Sequence, residues 1–251
     1  MKLKSKYEIK ILAEGGAKLA QIMRELVKMC KVGARASELD EYAEKRIIEL
    51  GGKPSFKGFG PVGQEFPNAL CVSPNDMVVH GIPHKDLKFK EGDLIGLDVG
   101  MEYKGLFTDH AVTVPIGKIS DDAKRLLAVT EECLKIGIEQ AQIGNRLGDI
   151  GFAIQKHAED EGFGVVRKLT GHAVGYEVHE EPKIPNYGNR GQGEELKEYA
   201  VLAIEPMINL GTYDVKTAYD NWGVVTADKK QAAHFEHTIA VTKQGPKILT
   251  I

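Results

Sequence analysis

The chain has 251 residues, of which 42% are hydrophobic and 27% charged, and its formal net charge is −3. This hydrophobic content is enough for the core of one large domain. The lack of an excess of basic residues argues against a nucleic-acid partner. The lack of ~20 uninterrupted apolar residues argues against a membrane span. The three cysteines, Cys30, Cys71 and Cys133, are too widely spaced for a disulfide framework or a zinc clip, which favours a cytoplasmic location.

The chain begins with two predicted helices. Apolar residues recur at helical spacing over roughly residues 8–32, which predicts an amphipathic helix that ends at Gly33. Ser37 is then expected to cap a second helix, because Asp40 follows three residues later and Gly51 would stop it.

A second pair of helices is predicted after a region of loops and short strands that runs to about Pro115. The third helix would start at Ser120 and end near Gly144, and the fourth would run to Gly162. Strands are expected to dominate the rest of the chain.

The second helix pair repeats features of the first at a constant offset of 111 residues. The matching positions are Gly33 and Gly144, Glu38 and Asp149, Leu39 and Ile150, and Gly51 and Gly162. Two ordinary helix–turn–helix units would also place glycines at helix ends, but the shared offset favours a duplicated half. We therefore expect one fused domain over residues 1–251, with pseudo-symmetric halves of about 1–116 and 117–251 and a site between them.

Three carboxylates interrupt apolar, strand-like stretches of the sequence: Asp98, Glu205 and Glu236. An isolated carboxylate in a buried strand costs several kcal/mol unless it is paired or bound to a metal. Together with Asp109 and His172, these residues have the chemistry and the order along the chain that suit a two-metal hydrolase.

Asp98 and Asp109 flank a short polar segment that is suited to a hairpin turn. A turn centred on Tyr103 and Lys104 would put Asp98 directly opposite Asp109, with Cβ atoms ~4.5–5.5 Å apart. Like charges placed in this way destabilise a sheet unless a cation lies between them. A solvated sheet face is the alternative, and a bulge could shift the register.

Two histidines lie seven residues apart in a glycine-containing segment. Gly171 and Gly175 around His172, and Pro182 after His179, predict a loop that leads into a strand. A single histidine here would more often be structural, but a neutral imidazole can complete an oxygen-rich metal site.

Several segments, taken together, resemble type I methionine aminopeptidases. They span nearly the whole chain in the family's order: Glu38-Leu39-Asp40, Pro54-Ser55-Phe56-Lys57-Gly58-Phe59, Val78-Val79-His80-Gly81-Ile82-Pro83, Asp98 with Asp109, Gly171-His172 with His179-Glu180-Glu181-Pro182, Ile204-Glu205-Pro206-Met207, and Glu236-His237-Thr238-Ile239. The resemblance implies the pita-bread fold, an α/β (α+β) architecture with two related halves around a central antiparallel sheet and a dinuclear metal centre.

The resemblance also implies a role for each candidate ligand. Asp98 resembles the ligand to one metal and His172 the ligand to the other. Asp109 and Glu236 resemble the bridging carboxylates. Glu205 resembles both a ligand and the general acid and base.

Five further residues resemble the substrate side of the family's site. His80 and His179 resemble its substrate-facing, catalytic histidines. Trp222, Cys71 and Phe66 resemble walls of the pocket that takes the methionine side chain.

Two positions in the expected methionine pocket depart from the family pattern. Gly63 and Val178 stand where bacterial members often have aromatic pocket residues. We therefore expect a methionine pocket that is wider, or one that is lined from elsewhere.

The implied activity is metal-dependent removal of the initiator methionine from nascent proteins and peptides, with a preference for a small second residue. The implied cofactors are two divalent ions, Co, Mn, Fe or Zn, and the implied partner is a peptide or nascent chain, with the ribosome as a further expectation. We expect a monomer. The alternatives are an X-Pro aminopeptidase or prolidase, which shares the ligands but usually carries an extra N-terminal domain, and an inactive peptide-binding pita-bread protein, which would typically lose ligands.

Overall fold

The computed structural model describes all of residues 1–251 as a mixed α/β molecule with four helices and fifteen strands. The helices are α1 (Lys6–Met29), α2 (Ala36–Glu49), α3 (Asp121–Gln140) and α4 (Leu147–Asp160). The strands are β1 (Lys53–Pro54), β2 (Leu70–Pro74), β3 (Met77–Val79), β4 (Leu94–Tyr103), β5 (Leu106–Pro115), β6 (Gly164–Val165), β7 (Gly171–Ala173), β8 (Glu180–Ile184), β9 (Val201–Ile204), β10 (Met207–Asn209), β11 (Val215–Thr217), β12 (Val224–Thr226), β13 (Ala232–His234), β14 (Glu236–Thr242) and β15 (Gly245–Ile248). None of the four helices has the length and apolar character that crossing a bilayer requires.

The central element is a nine-stranded sheet in which all the paired strands are antiparallel. Its main path runs β1-β4-β5-β14-β9-β7-β8, and β2 and β15 pair with β4 and β14 outside that path. Strand β14 therefore joins one arm of the sheet, made from the first half of the chain, to another made from the second half. Two three-stranded sheets, β13-β10-β6 and β11-β12-β3, complete the strand structure.

The first two helices differ from the prediction at their ends. Ser5 caps α1 through a capping box with Glu8, and the helix ends at Met29 instead of continuing to Gly33. The prediction that Ser37 caps α2 is wrong, because Arg35 is the N-cap residue and uses no side-chain bond. The backbone N–H of Ala36 instead donates to the carbonyl of Leu87, so a tertiary contact replaces the side-chain cap.

The second helix pair follows the prediction more closely, since Ser120 caps α3 as expected. The repeat positions also have matching backbones: φ is +90° at both Gly33 and Gly144, and +81° and +84° at Gly51 and Gly162. Such angles suit glycine because they are strained for residues with a Cβ. The division into halves at residue 116 stays a prediction.

The turn between β4 and β5 lies one residue later than predicted. Lys104 and Gly105 form it with φ of +52° and +82°, the left-handed geometry that a two-residue hairpin needs to match the twist of its strands. The prediction that Asp98 faces Asp109 directly is therefore wrong: Asp98 pairs with Ala111, and Asp109 pairs with Gly100. A shift of the turn by one residue moves the pairing by two and leaves both carboxylates on the same face.

The two faces of the sheet have different tasks. Leu97 and Val99 pack into a core cluster with residues of α1 and α2, and Leu202 and Ile204 pack into another with residues of α3 and α4. Because side chains alternate along a strand, Asp98 between Leu97 and Val99 points to the opposite face. The helices thus support one side of the sheet and leave the other free for polar residues.

Candidate metal centre and substrate pocket

Adjacent strands align the first carboxylates in one row across the sheet. Asp98 on β4 pairs with Ala111 on β5, and Ala111 pairs with Glu236 on β14. Cys71 on β2 extends the row because it pairs with Asp98. Asp109 lies two residues before Ala111 and so has the same face. The small side chain of Ala111 leaves room in the middle of the row.

The second arm of the sheet supplies His172 and Glu205. His172 on β7 pairs with Ala203 on β9, and Glu205 follows the end of β9 directly. The His172 Nε2 atom lies 3.3 Å from Glu205 Oε1, and His234 Nε2 lies 3.5 Å from Glu205 Oε2. The sheet register thus brings a carboxylate and two imidazoles to the edge of the row.

The predicted ligands form overlapping groups whose donor atoms lie within 4.8 Å of one another. One group is Asp98, Asp109 and Glu236, and a second is His172, Glu205 and Glu236. Asp109 also groups with His172 and His179. Asp109, His172 and Glu236 are therefore each shared between two groups.

The unpaired oxygens of the predicted ligands are suited to a divalent cation. Asp98 Oδ1 and Glu236 Oε1 are buried and have no hydrogen-bond partner. A buried polar atom without a partner costs about 1–3 kcal/mol, and more when charged, so these oxygens require a cation or a proton. Carboxylate oxygens and imidazole nitrogens are ligands for Mn, Fe, Co and Zn.

Electrostatics lead to the same conclusion. Burial raises the pKa of Asp98, Glu205 and Glu236 well above the usual range, and the neighbouring carboxylates add to the effect. Burial also raises the pKa of Asp109 to about 7. Without a cation the cluster therefore holds protons at neutral pH.

The imidazoles around the cluster are neutral for a related reason. Burial lowers the pKa of His172 to about 3 and that of His80 to about 4, with His179 nearby adding to both shifts. Burial lowers the pKa of His179 as well. A neutral imidazole is the form that binds a metal.

An aromatic pocket adjoins the carboxylates. Phe66 and Trp222 meet edge to face with ring centroids 5.2 Å apart, and Phe59 meets His179 at 4.9 Å. Phe56, Phe66, Cys71 and Val178 form one buried apolar cluster, and burial raises the pKa of the Cys71 thiol well above its usual value. Cys71 therefore stays protonated and contributes an apolar wall.

One cavity brings the carboxylates and the aromatic residues together. Its lining contains all of the predicted site residues, together with Phe56 and Phe59: Phe66, Cys71, His80, Asp98, Asp109, His172, His179, Glu205, Trp222 and Glu236. A neighbouring groove shares His80, His172, His179 and Glu205 with it. The arrangement is a polar centre between an aromatic pocket and an open groove.

The comparison with protein families agrees with this geometry. The model for "Metallopeptidase family M24" matches residues 10–243. The chain belongs to the metallopeptidase family M24. The predicted family membership is thereby confirmed, and divalent metal use follows from the family together with the ligand groups described above.

Relatives of the M24 family are similar to this chain over its whole length. "Methionine aminopeptidase 1" of Bacillus subtilis is 48% identical over 247 residues, which cover 98% of each chain. "Methionine aminopeptidase" of Clostridium acetobutylicum is 44% identical over 99% of this chain and 98% of its own.

Solved structures of the M24 family have the same fold. A methionine aminopeptidase from Thermotoga maritima matches with a TM-score of 0.96 at 42% identity, over 100% of this chain and 99% of its own. A prolidase from Pyrococcus furiosus matches with a TM-score of 0.80 at 22% identity, over 99% of this chain and 65% of its own, which shows a shared fold. The predicted pita-bread α/β fold is confirmed.

Some cavity residues were not among the predicted site residues. Phe59 and Phe56 line the cavity. Both belong to the Phe56-Lys57-Gly58-Phe59 segment that resembles the family, and this membership could have identified them as site residues. Phe59 supplies an aromatic wall beside His179, whereas Gly63 is exposed and outside this cavity. His234 is not among the site residues predicted from the sequence, yet its Nε2 atom is buried without a hydrogen-bond partner near Glu205. Only the fold brings it there.

Proposed function

We propose that this protein removes the N-terminal methionine from peptides and nascent proteins by metal-dependent hydrolysis of the first peptide bond, with a preference for a small second residue. The observation that carries the proposal is the single cavity in which carboxylates and histidines adjoin an aromatic pocket. The long, unbranched methionine side chain suits such a pocket, because thioether sulfur makes favourable contacts with aromatic rings.

The ligand groups support two neighbouring cations. Asp98, Asp109, His172 and Glu236 would hold the two ions, with Asp109 and Glu236 available to both. Glu205 would complete the set. The overlap of the donor groups at Asp109, His172 and Glu236 is the supporting observation. Co, Mn, Fe and Zn all accept this mixture of oxygen and nitrogen donors.

The bound ions would supply Lewis-acid activation of water and of the scissile carbonyl. Glu205 is suited to move protons, because it lies at the end of β9 where the cavity meets the groove. As a general base it would accept a proton from water, and as a general acid it would pass one to the leaving amine.

His80 and His179 would orient the substrate beside the ions. Both are neutral at pH 7 because burial lowers the pKa of each, so each can donate one N–H hydrogen bond to a peptide group. His179 would face the carbonyl oxygen, where negative charge develops, and His80 would lie near the scissile nitrogen. Trp222, Cys71 and Phe66 would enclose the methionine side chain.

The expected setting is the cytoplasm, with a monomeric enzyme that acts on chains as they leave the ribosome. Contact of this domain's surface with the ribosome is part of the proposal. A sedimentation assay with purified ribosomes tests that contact, and failure to co-sediment at low salt would contradict it.

The activity is tested with metal-stripped protein and two peptides, Met-Ala-Ser and Ala-Pro-Ser. We expect release of methionine from the first peptide alone, and only after Mn²⁺ or Co²⁺ is added. Cleavage of the proline peptide would favour an X-Pro peptidase. Metal binding without cleavage of either peptide would favour a peptide-binding protein.

A further inference from the structure

A buried ion pair ties the N-terminal segment to the segment that carries the site histidines. Lys4 Nζ lies 3.0 Å and 2.9 Å from the two carboxylate oxygens of Glu180. The side chains are 0% and 1% exposed. The two residues are 176 positions apart in the chain, so this contact exists only in the folded protein.

Every polar atom of the pair has a partner. Lys4 Nζ also donates to the carbonyl of Lys2 and lies 4.2 Å from the centre of the Tyr176 ring. Glu180 Oε1 also accepts hydrogen bonds from the backbone N–H groups of Tyr176 and Glu177. The Glu180 carboxylate therefore holds its own residue close to the backbone of Tyr176 and Glu177, and Val178 and His179 lie in between.

The path of the lysine is built into the fold. Its backbone N–H donates to the carbonyl of Tyr199, which fixes the start of the chain against the sheet. Gly175 has a φ of +137°, and a Cβ atom there would collide with Lys4 Cε. The lysine thus reaches Glu180 directly over a residue that has to be glycine.

The carboxylate that Lys4 holds belongs to the residue directly after His179. The His179 ring contacts His172 at 4.4 Å and Phe59 at 4.9 Å, edge to face in both cases. A shift of the segment over residues 176–180 would move the ring relative to both. The exposed pair of Lys2 and Glu177, 60% and 66% exposed, has no such consequence.

Stability alone does not account for the pair. Burying two charges costs several kcal/mol each, and an apolar pair of similar size is often as stable or more stable. Burial lowers the pKa of Lys4 against the effect of Glu180, which reflects this cost. A fully paired buried contact does, however, specify one geometry.

We infer that Lys4 is a positioning residue for the proposed reaction: through Glu180 it fixes the orientation of His179 beside the metal ligands. The inference rests on the proposed function only for its kinetic consequence. The geometric claim, that Lys4 sets the environment of the His179 ring, can be tested without turnover.

The kinetic test compares Lys4→Met with Lys2→Met, which removes the exposed charge from the same segment. We expect Lys4→Met to lower kcat for Met-Ala-Ser roughly 10- to 100-fold with KM nearly unchanged, because small misplacements at a reacting centre carry costs of this size. Lys2→Met should leave both constants unchanged. An unaltered kcat in Lys4→Met would overturn the inference.

A double-mutant cycle shows whether the effect passes through His179. In a His179→Ala background, Lys4→Met should lower kcat by less than about twofold, since residues that act together are not additive. Equal losses in both backgrounds would contradict positioning through His179. If His179→Ala alone had no effect, the proposed role of His179 would fail instead.

Two further measurements separate positioning from loss of folding. Lys4→Met/Glu180→Gln leaves no unpaired buried charge, so we expect its Tm to recover towards wild type while kcat stays low; recovery of kcat would count against the inference.

In ¹⁵N-histidine spectra, the loss of one signal in His179→Ala identifies the signal of His179. That signal should shift in Lys4→Met and in the double variant but not in Lys2→Met. An unmoved signal in both would refute the geometric claim even if the enzyme proved inactive.

Discussion

Glu205 lines both the cavity that holds the carboxylates and aromatic residues and the neighbouring open groove. Its carboxylate is between His172 and His234, and burial raises its pKa well above the usual value. Glu205 follows β9 directly. The sequence could predict this residue, because a carboxylate at the end of an apolar strand is costly without a function.

Glu205→Gln should lower kcat about 10²- to 10⁴-fold, because an amide cannot accept or deliver the proton that a general acid and base transfers. The fold should persist, since the side chain keeps its size. Peptide cleavage and circular dichroism check both expectations, with Glu195→Gln on the surface as the matched control. Near-wild-type turnover would exclude Glu205 as the proton carrier.

Phe59 is the residue at which substrate preference is expected to respond. Phe59→Ala should lower kcat/KM for methionine peptides roughly 10- to 100-fold, the range expected when a pocket loses apolar contact. Val62→Ala is the control, because Val62 is in the same loop and is 98% exposed. Equal kinetics for both variants would place the methionine side chain elsewhere.

At the scale of the elements, strand register creates the site. The row from Asp98 through Ala111 to Glu236 crosses three strands, two of which are separated by more than 120 residues of sequence. Sequence patterns predicted the strands and the carboxylates but not this row. The turn at Lys104 and Gly105 shows why, since one residue of uncertainty in a turn changes every cross-strand partner.

Ala111→Leu should abolish metal binding without abolishing folding. The added atoms would fill the space between Asp98 and Glu236, and overpacking elsewhere in a core typically costs only 1–3 kcal/mol. Titration calorimetry with Mn²⁺ measures the first effect and thermal unfolding the second. Ala158→Leu, at a fully buried position in α4, should destabilise the protein and still bind metal. Retained affinity in Ala111→Leu would show that this row is not the cation site.

At the scale of the molecule, the helices and the repeated helix ends could be predicted, because they depend on local spacing. The start of α2 could not, since it depends on a backbone bond from Ala36 to Leu87. His234 was missed for the same kind of reason: its proximity to Glu205 comes from strand pairing between β10 and β13. Local sequence patterns therefore predict helices and turns, whereas contacts between distant segments depend on strand pairing that these patterns do not contain.

Metal-free protein should lose stability as pH rises from about 6.5 to 8. Below pH 6.5 the carboxylates and the buried histidines act in opposite directions, because the folded state binds extra protons at the former and fewer at the latter. As pH rises above 6.5, the histidines of the unfolded state lose their remaining protons and their opposing effect fades, while Asp109, with a pKa of about 7, and its three neighbours with raised pKa values still hold protons only when folded. The folded state then binds more protons than the unfolded state, so unfolding becomes easier as pH rises.

Thermal unfolding at several pH values, with and without Mn²⁺, checks this expectation. Metal at 1,000 times its Kd should add about 4 kcal/mol of stability and flatten the decline. Glu236→Gln without metal should also show a weaker decline. A metal-free Tm that rises between pH 6.5 and 8 would contradict the assignment of raised pKa values.

The late position of β14 in the chain affects when the site can form during biosynthesis. Four of the five predicted ligands, Asp98, Asp109, His172 and Glu205, are synthesised before it, and they sit on two sheet arms that β14 joins. Until β14 emerges from the ribosome and inserts between β5 and β9, the arms have exposed edges and the ligand cluster lacks Glu236. We therefore expect the proposed site to form in one late step of biosynthesis, and a chain interrupted before that strand to be inactive.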